Sequence, residues 1–158
     1  MIVTKEQAIA INSEVEKAVL EILKKHNLQV GKIRTKYGDE YSFTISAVPL
    51  KLNKSGVNVN SSEAQNWVVV GSSYGFENPE AVLGAIFTAN KKEYKFTGVN
   101  TRKEKFPVTA IEVSSGKSYG FPAKVLSKLP NFEESKVATW IRSEFGLAYE
   151  VKVVGATK

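Results

Sequence analysis

The strongest constraint on the fold is a change of hydrophobic period along the chain. Between Thr4 and His26, apolar residues recur at Ala8, Ile11, Val15, Ala18 and Ile22, in steps of three and four. That is the spacing of one face of an α-helix. After residue 40 the period falls to two. Tyr41, Phe43, Ile45 and Ala47 alternate with Ser42, Thr44 and Ser46, the pattern of a half-buried strand. From Ala85 the chain breaks into short apolar segments separated by turn residues. A helical start followed by short strands predicts an α+β fold.

Local signals place the elements. Thr4-Lys5-Glu6-Gln7 reads as a capping box that opens the first helix, which runs about twenty residues to His26-Asn27. Its repeat also fits a coiled-coil seam, but two heptads with alanine at two seam positions favour packing on a sheet. Residues 31–36 and 41–49 are expected to pair as an antiparallel hairpin around Tyr37-Gly38-Asp39-Glu40. Residues 51–62 have turn composition and are expected to form an exposed loop. Ser62-Glu63-Ala64-Gln65 is a second capping box, and Ala64, Trp67, Val68, Gly71 and Tyr74 follow at helical spacing. The run Val68-Val69-Val70 argues for a strand instead; helix is preferred. Asn78-Pro79-Glu80 opens a short helix.

Four strands are expected next, at Ala85–Thr88, Glu93–Val99, Pro107–Val113 and Lys117–Phe121, forming a small SH3-like β-barrel. Short helices follow at Ala123–Leu129 and 134–145, the latter with Val137, Trp140, Ile141 and Phe145 on its inner face. A final strand is expected over 148–154. The length of 158 residues fits a single domain. Its sub-regions are helix plus hairpin (1–50), loop and helices (51–84), barrel-like unit (85–129) and helix-strand extension (130–158).

Composition narrows the function. There is no cysteine, one histidine and one aspartate. Disulfide frameworks, thiolate metal sites and cysteine nucleophiles are thereby excluded. The expectation is no metal, no cofactor and no catalytic residue. Metal-assisted phosphoryl chemistry needs clustered carboxylate or imidazole ligands. His26 sits at a helix end, where imidazole complements the last carbonyls. No nucleophile elbow and no phosphate loop is present. The amino-terminal residues lack the pattern of a secretory leader, and no apolar run is long enough to cross a membrane. A cytoplasmic binding protein with no membrane partner is the expectation.

Charge is segregated. Residues 91–128 carry nine basic and three acidic side chains, and residues 24–54 carry seven and two, against a net charge of +6 for the whole chain. Basic faces attract polyanions, although a solvated lysine surface has the same composition. Basic and aromatic residues interleave most densely between Lys91 and Pro122. Cations there would neutralise phosphates and rings would stack on bases. The candidate anion-binding residues are Lys95, Arg102, Lys103, Lys105, Lys117 and Tyr119, with Lys95 and Lys117 read as extending the patch from adjacent strands. Phe96, Phe106 and Phe121 are expected in the core instead. Arg102 and Tyr119 are the least readily explained by packing or solvation.

Three segments carry a resemblance: Tyr74-Gly75-Phe76-Glu77-Asn78-Pro79-Glu80, Gly98-Val99-Asn100-Thr101-Arg102-Lys103-Glu104-Lys105-Phe106-Pro107 and Gly116-Lys117-Ser118-Tyr119-Gly120-Phe121-Pro122. With the amphipathic helix and the alternating strand, residues 5–128 resemble a family of small accessory proteins of tailed bacteriophages. Gly120 departs from the pattern, standing where a basic residue is typical. The resemblance implies a phage accessory protein acting in the host bacterial cytoplasm and supplies no activity. Two functions remain open. One is non-catalytic binding of an anionic partner, foremost nucleic acid. The other is inhibition of a host defence or regulatory system, by binding a host protein or sequestering a nucleotide ligand. On either reading, His26→Ala is expected to leave binding intact and to remove at most about 1 kcal/mol of helix-end stabilisation. Urea unfolding together with a binding assay on the variant checks this.

Overall fold

The structure, a computed structural model, describes residues 2–147. Within-chain contacts divide the chain into two compact units. One comprises Met1–Leu52 and Asn58–Ser61, the other Asn53–Val57 and Ser62–Lys158. The strand expected over 148–154 lies outside the described residues.

The first unit is α1 (Lys5–Lys25) packed on a hairpin of β1 (Leu28–Lys36) and β2 (Ser42–Pro49). The capping box forms as expected: the Thr4 amide donates to Gln7 Oε1 at 3.0 Å and the Gln7 amide donates to Thr4 Oγ1 at 3.3 Å. The helix face that meets the hairpin is Ala8, Asn12, Val15, Val19 and Leu23, rotated from the stripe read off the sequence. Ile11 and Ile22 stay exposed. Asn12 is the reason the stripe was hidden, since a polar residue occupies an inner position. It is satisfied there by the Tyr41 hydroxyl, which donates to its Oδ1 at 2.6 Å.

The hairpin contains a bulge between Val30 and Lys32. Strict alternation would place Val30 and Lys32 on the same face. The extra residue, Gly31, lets Val30 and Ile33 turn inward while Lys32, Arg34 and Lys36 turn outward together. The segment expected to be an exposed loop is only partly so, because Val57 and Asn58 are buried. Asn58 accepts from the Lys51 and Asn60 amides and donates to Gln29 Oε1 at 2.7 Å. In the other unit, Asn53 accepts from the Ser55 and Val57 amides and donates to the Leu83 carbonyl. The asparagines that looked like solvent-facing turn residues are hydrogen-bond hubs.

The second unit holds α2 (Ser62–Val70) and a four-stranded antiparallel sheet in the order β3 (Ile86–Ala89), β4 (Lys92–Val99), β5 (Val108–Glu112), β6 (Ser118–Phe121). The helix reading of 62–70 holds. The sheet is open among the described residues, with β3 and β6 as its edges, so no closed SH3-like barrel forms there. Closure needs a pairing between the first and last strands, and among the described residues β3 and β6 do not pair. Trp67 anchors the interior. Its ring packs edge-on against Phe76 (5.1 Å) and Phe96 (4.9 Å) and near Tyr74 (6.2 Å), while Nε1 donates to the Pro79 carbonyl at 2.6 Å. Gly98, at φ 138°, lets β4 run directly under α2. A Cβ there would collide with the Glu63 carbonyl.

The continuous helix expected over 134–145 is replaced by two 3-10 turns, Glu134–Lys136 and Thr139–Phe145, separated by extended backbone at Val137 and Ala138. Val137 and Ile141 are buried as expected, but Trp140 is 67 % exposed. The stripe 137, 141, 145 points inward and Trp140 stands beside it.

Among the described residues one carboxylate is buried in this unit. Glu112 accepts from Lys92 Nζ at 2.9 Å and from Ser114 Oγ at 2.8 Å. The Lys92 hydrogen bond is the leading cause, followed by that from Ser114, of a pKa lowered from 4.5 to about 2. A depressed carboxylate pKa stabilises the fold above pH 4.5, and that stability is lost as the pH falls towards 2. The melting temperature is expected to drop across this window, and Glu112→Gln to flatten the drop; thermal melts between pH 2 and pH 6 read it. Trp67→Ala is expected to cost about 3–5 kcal/mol and Trp140→Ala less than about 1 kcal/mol, because only the first ring is enclosed. Denaturant titration of the two variants checks the contrast.

Candidate nucleic-acid interface

The loop between β4 and β5 is built to hold a rigid outline without burying its side chains. Its neck is closed by the Asn100 amide donating to the Pro107 carbonyl at 2.7 Å. Asn100 Oδ1 accepts from the Arg102 amide at 3.1 Å and the Asn100 carbonyl accepts from the Lys103 amide at 3.1 Å. Asparagine suits this position because its short amide mimics a backbone acceptor and sets a tight turn. At the far end Pro107 is buried, and it restricts Phe106 to extended geometry. Thr101 to Phe106 are all exposed, so Arg102, Lys103 and Lys105 present their cations to solvent with Glu104 among them.

Phe106 overturns an expectation. It was read as core, yet it is 53 % exposed. Its Cβ lies over Gly120 of β6, so close that a Cβ on Gly120 would stand 3.3 Å from it. The absence of a side chain at position 120 therefore seats the aromatic on the sheet edge with much of the ring free. The glycine at position 120 is what makes room for Phe106. The sequence held a signal: an aromatic in a polar loop, flanked by Lys105 and fixed by Pro107.

The other candidates are not gathered round this loop. Lys95, half-buried on β4, pairs across to Ile86 and Ile111, on the sheet face opposite to Tyr94. Lys117 does not come from a strand adjacent to it, because β5 lies between β4 and β6. Lys117 also lies at the other end of the sheet, where its carbonyl accepts from the Glu112 amide. From Val108, beside the loop, to Glu112 is four residues of strand, about 13 Å at the usual rise. Tyr119 packs edge-on to Tyr94 at 5.7 Å and hydrogen-bonds Glu112, which raises its pKa above 10.0. That tyrosine is partly committed to the sheet. The structure thus keeps Arg102, Lys103 and Lys105 together, adds Phe106, and places Lys95, Lys117 and Tyr119 elsewhere on the unit.

Among the described residues no group of histidine, aspartate and glutamate has the clustering needed to hold a metal, and no helix is long and apolar enough to cross a membrane. Residues 64–134, less than half of the chain, match the model of the Y4mA C-terminal domain family. The matched segment runs from α2 through the sheet and includes the 100–107 loop. No curated protein and no solved structure matches the chain.

Proposed function

We propose that this protein is a non-catalytic nucleic-acid-binding protein whose 100–107 loop grips the backbone and stacks a base. The observation that carries this reading is the exposed Phe106, fixed on Gly120 and flanked within four residues by Arg102, Lys103 and Lys105. Cations neutralise phosphates without regard to sequence, and an exposed ring offers any base a stacking surface. The loop's own hydrogen bonds prepay its ordering, so little conformational entropy is lost when a ligand docks. The match to the Y4mA C-terminal domain is compatible with a DNA-related role for the same segment. With the resemblance to phage accessory proteins, the setting we propose is the cytoplasm of a phage-infected bacterium. A second reading, inhibition of a host protein, draws support from the exposed Ile9, Ile11 and Ile22 of α1.

Fluorescence anisotropy with labelled 20-base single-stranded and 20-base-pair duplex DNA and the matching RNAs, at low salt, tests the proposal. Changing Arg102, Lys103 and Lys105 together to Glu is expected to abolish the binding made through this loop while leaving the melting curve unchanged. Phe106→Ala is expected to weaken single-strand binding roughly 5- to 150-fold, the range of one lost stacking contact. Wild-type protein that binds none of the four probes would overturn the proposal and leave the host-protein reading.

A further inference from the structure

The outward face of the β1–β2 hairpin, in the other compact unit, carries a second ordered array. Lys32, Arg34 and Lys36 project from β1 on the same face, at intervals of two residues, about 6.7 Å apart. Opposite them in register stand Ser46, Thr44 and Ser42 of β2. The face therefore reads as three cations in a row with a hydroxyl facing each. Arg34, Thr35, Lys36, Ser42 and Thr44 line an open depression of about 250 Å³. Neither strand contains a carboxylate; Asp39 and Glu40 are confined to the turn. Among the described residues, the ion pairs involve other groups and none of these three cations.

We infer that this face binds the phosphodiester backbone of a nucleic acid. Three properties distinguish it from a merely solvated lysine surface. The bulge at Gly31 turns the whole row of Lys32, Arg34 and Lys36 outward; without it, alternation from Leu28 and Val30 would carry all three to the α1 side. The cation spacing along a strand is close to the separation of successive phosphates along a nucleic-acid chain. Serine and threonine hydroxyls are the neutral groups that commonly donate to phosphate oxygens beside Arg and Lys. The Ser46 hydroxyl already donates to the Lys32 carbonyl at 3.3 Å. Free hydroxyls would donate to a carboxylate as readily as to a phosphate, so it is the cation spacing that favours the nucleic acid over an acidic peptide. Contacts made to the phosphodiester backbone carry no sequence information, so the array binds without sequence preference.

The test rests on the same class of ligand as the loop reading, so both surfaces are altered separately in the full chain. A fluorescein-labelled 20-base-pair duplex DNA of arbitrary sequence is titrated against four proteins. These are the wild type, Lys32→Glu/Arg34→Glu/Lys36→Glu, the milder Lys32→Gln/Arg34→Gln/Lys36→Gln, and the loop triple variant. Both hairpin variants are expected to fold, since the three side chains are exposed, and circular dichroism confirms it. The Glu variant is expected to bind roughly 30-fold more weakly or worse, and the Gln variant to lower the salt slope by about 2.7, or 0.9 for each lost contact. Hairpin variants that bind like wild type would overturn this inference and leave the loop reading standing. Loss of binding in the hairpin variants with none in the loop variant would support the inference and show that duplex binding runs through the hairpin alone. Wild type that fails to bind duplex DNA overturns the hairpin site whatever the loop does with single strands. Equal competition by a poly-glutamate peptide of matched charge would overturn the phosphodiester assignment.

Discussion

Trp67 holds the second unit together, because it ties α2 both to the segment that follows it and to the more distant strand β4. Its ring receives Phe96 from the central strand β4 and Phe76 from the segment after α2, and its indole N–H satisfies the Pro79 carbonyl. Burying a ring of this size contributes more than any single polar contact, and the hydrogen bond removes the penalty of enclosing its one polar atom. With α2 fixed on β4 in this way, the β4–β5 connection emerges from a rigid strand pair. Gly98 lets the strand pass beneath the helix, and Asn100 starts the loop two residues later. The position of the cationic loop is thus a consequence of aromatic packing on the strand that leads into it.

The charged surfaces follow a different logic. Arg102, Lys103, Lys105, Lys32, Arg34 and Lys36 contribute little to holding either unit together, since exposed cations gain small Coulomb energies in water. By contrast Lys92 is committed to Glu112, which buries its carboxylate and cross-links β4 to β5. Basic composition alone does not separate these roles. The partner, or the lack of one among the described residues, does so. A lysine facing a buried carboxylate is structural, while cations aligned on one face and facing hydroxyls are available to an outside anion.

Much of the fold was legible because local chemistry and tertiary packing agree. The capping box at Thr4 and Gln7, the alternation from Tyr41 to Ala47 and the turn residues of the sheet all place their elements correctly. The misreadings came where side chains were judged by type and not by neighbours. Asn12 lies in the inner stripe of α1 because Tyr41 supplies its hydrogen bond. Helical spacing with Val137, Ile141 and Phe145 predicts Trp140 in the core, but the 3-10 geometry after Ala138 turns it out. Phe106, as an aromatic of a small barrel, is expected in the core, and only the pairing of β5 with β6 reveals the vacant Gly120 beneath it. The hairpin array was present in the composition as a local excess of charge. The three cations share a face by period two alone, but that this face is the outward one depends on the bulge at Gly31, which a period-two reading from Leu28 does not anticipate.

The central claim is that phosphate neutralisation drives binding, and the salt dependence of affinity measures it directly. The binding constant of wild-type protein for a duplex DNA is determined by anisotropy between 50 and 200 mM salt, and its logarithm is plotted against that of the salt concentration. Engagement of at least three phosphates predicts a straight line with a slope of about −2.7 or steeper. A slope near zero, or no binding at the lowest salt, would contradict the account.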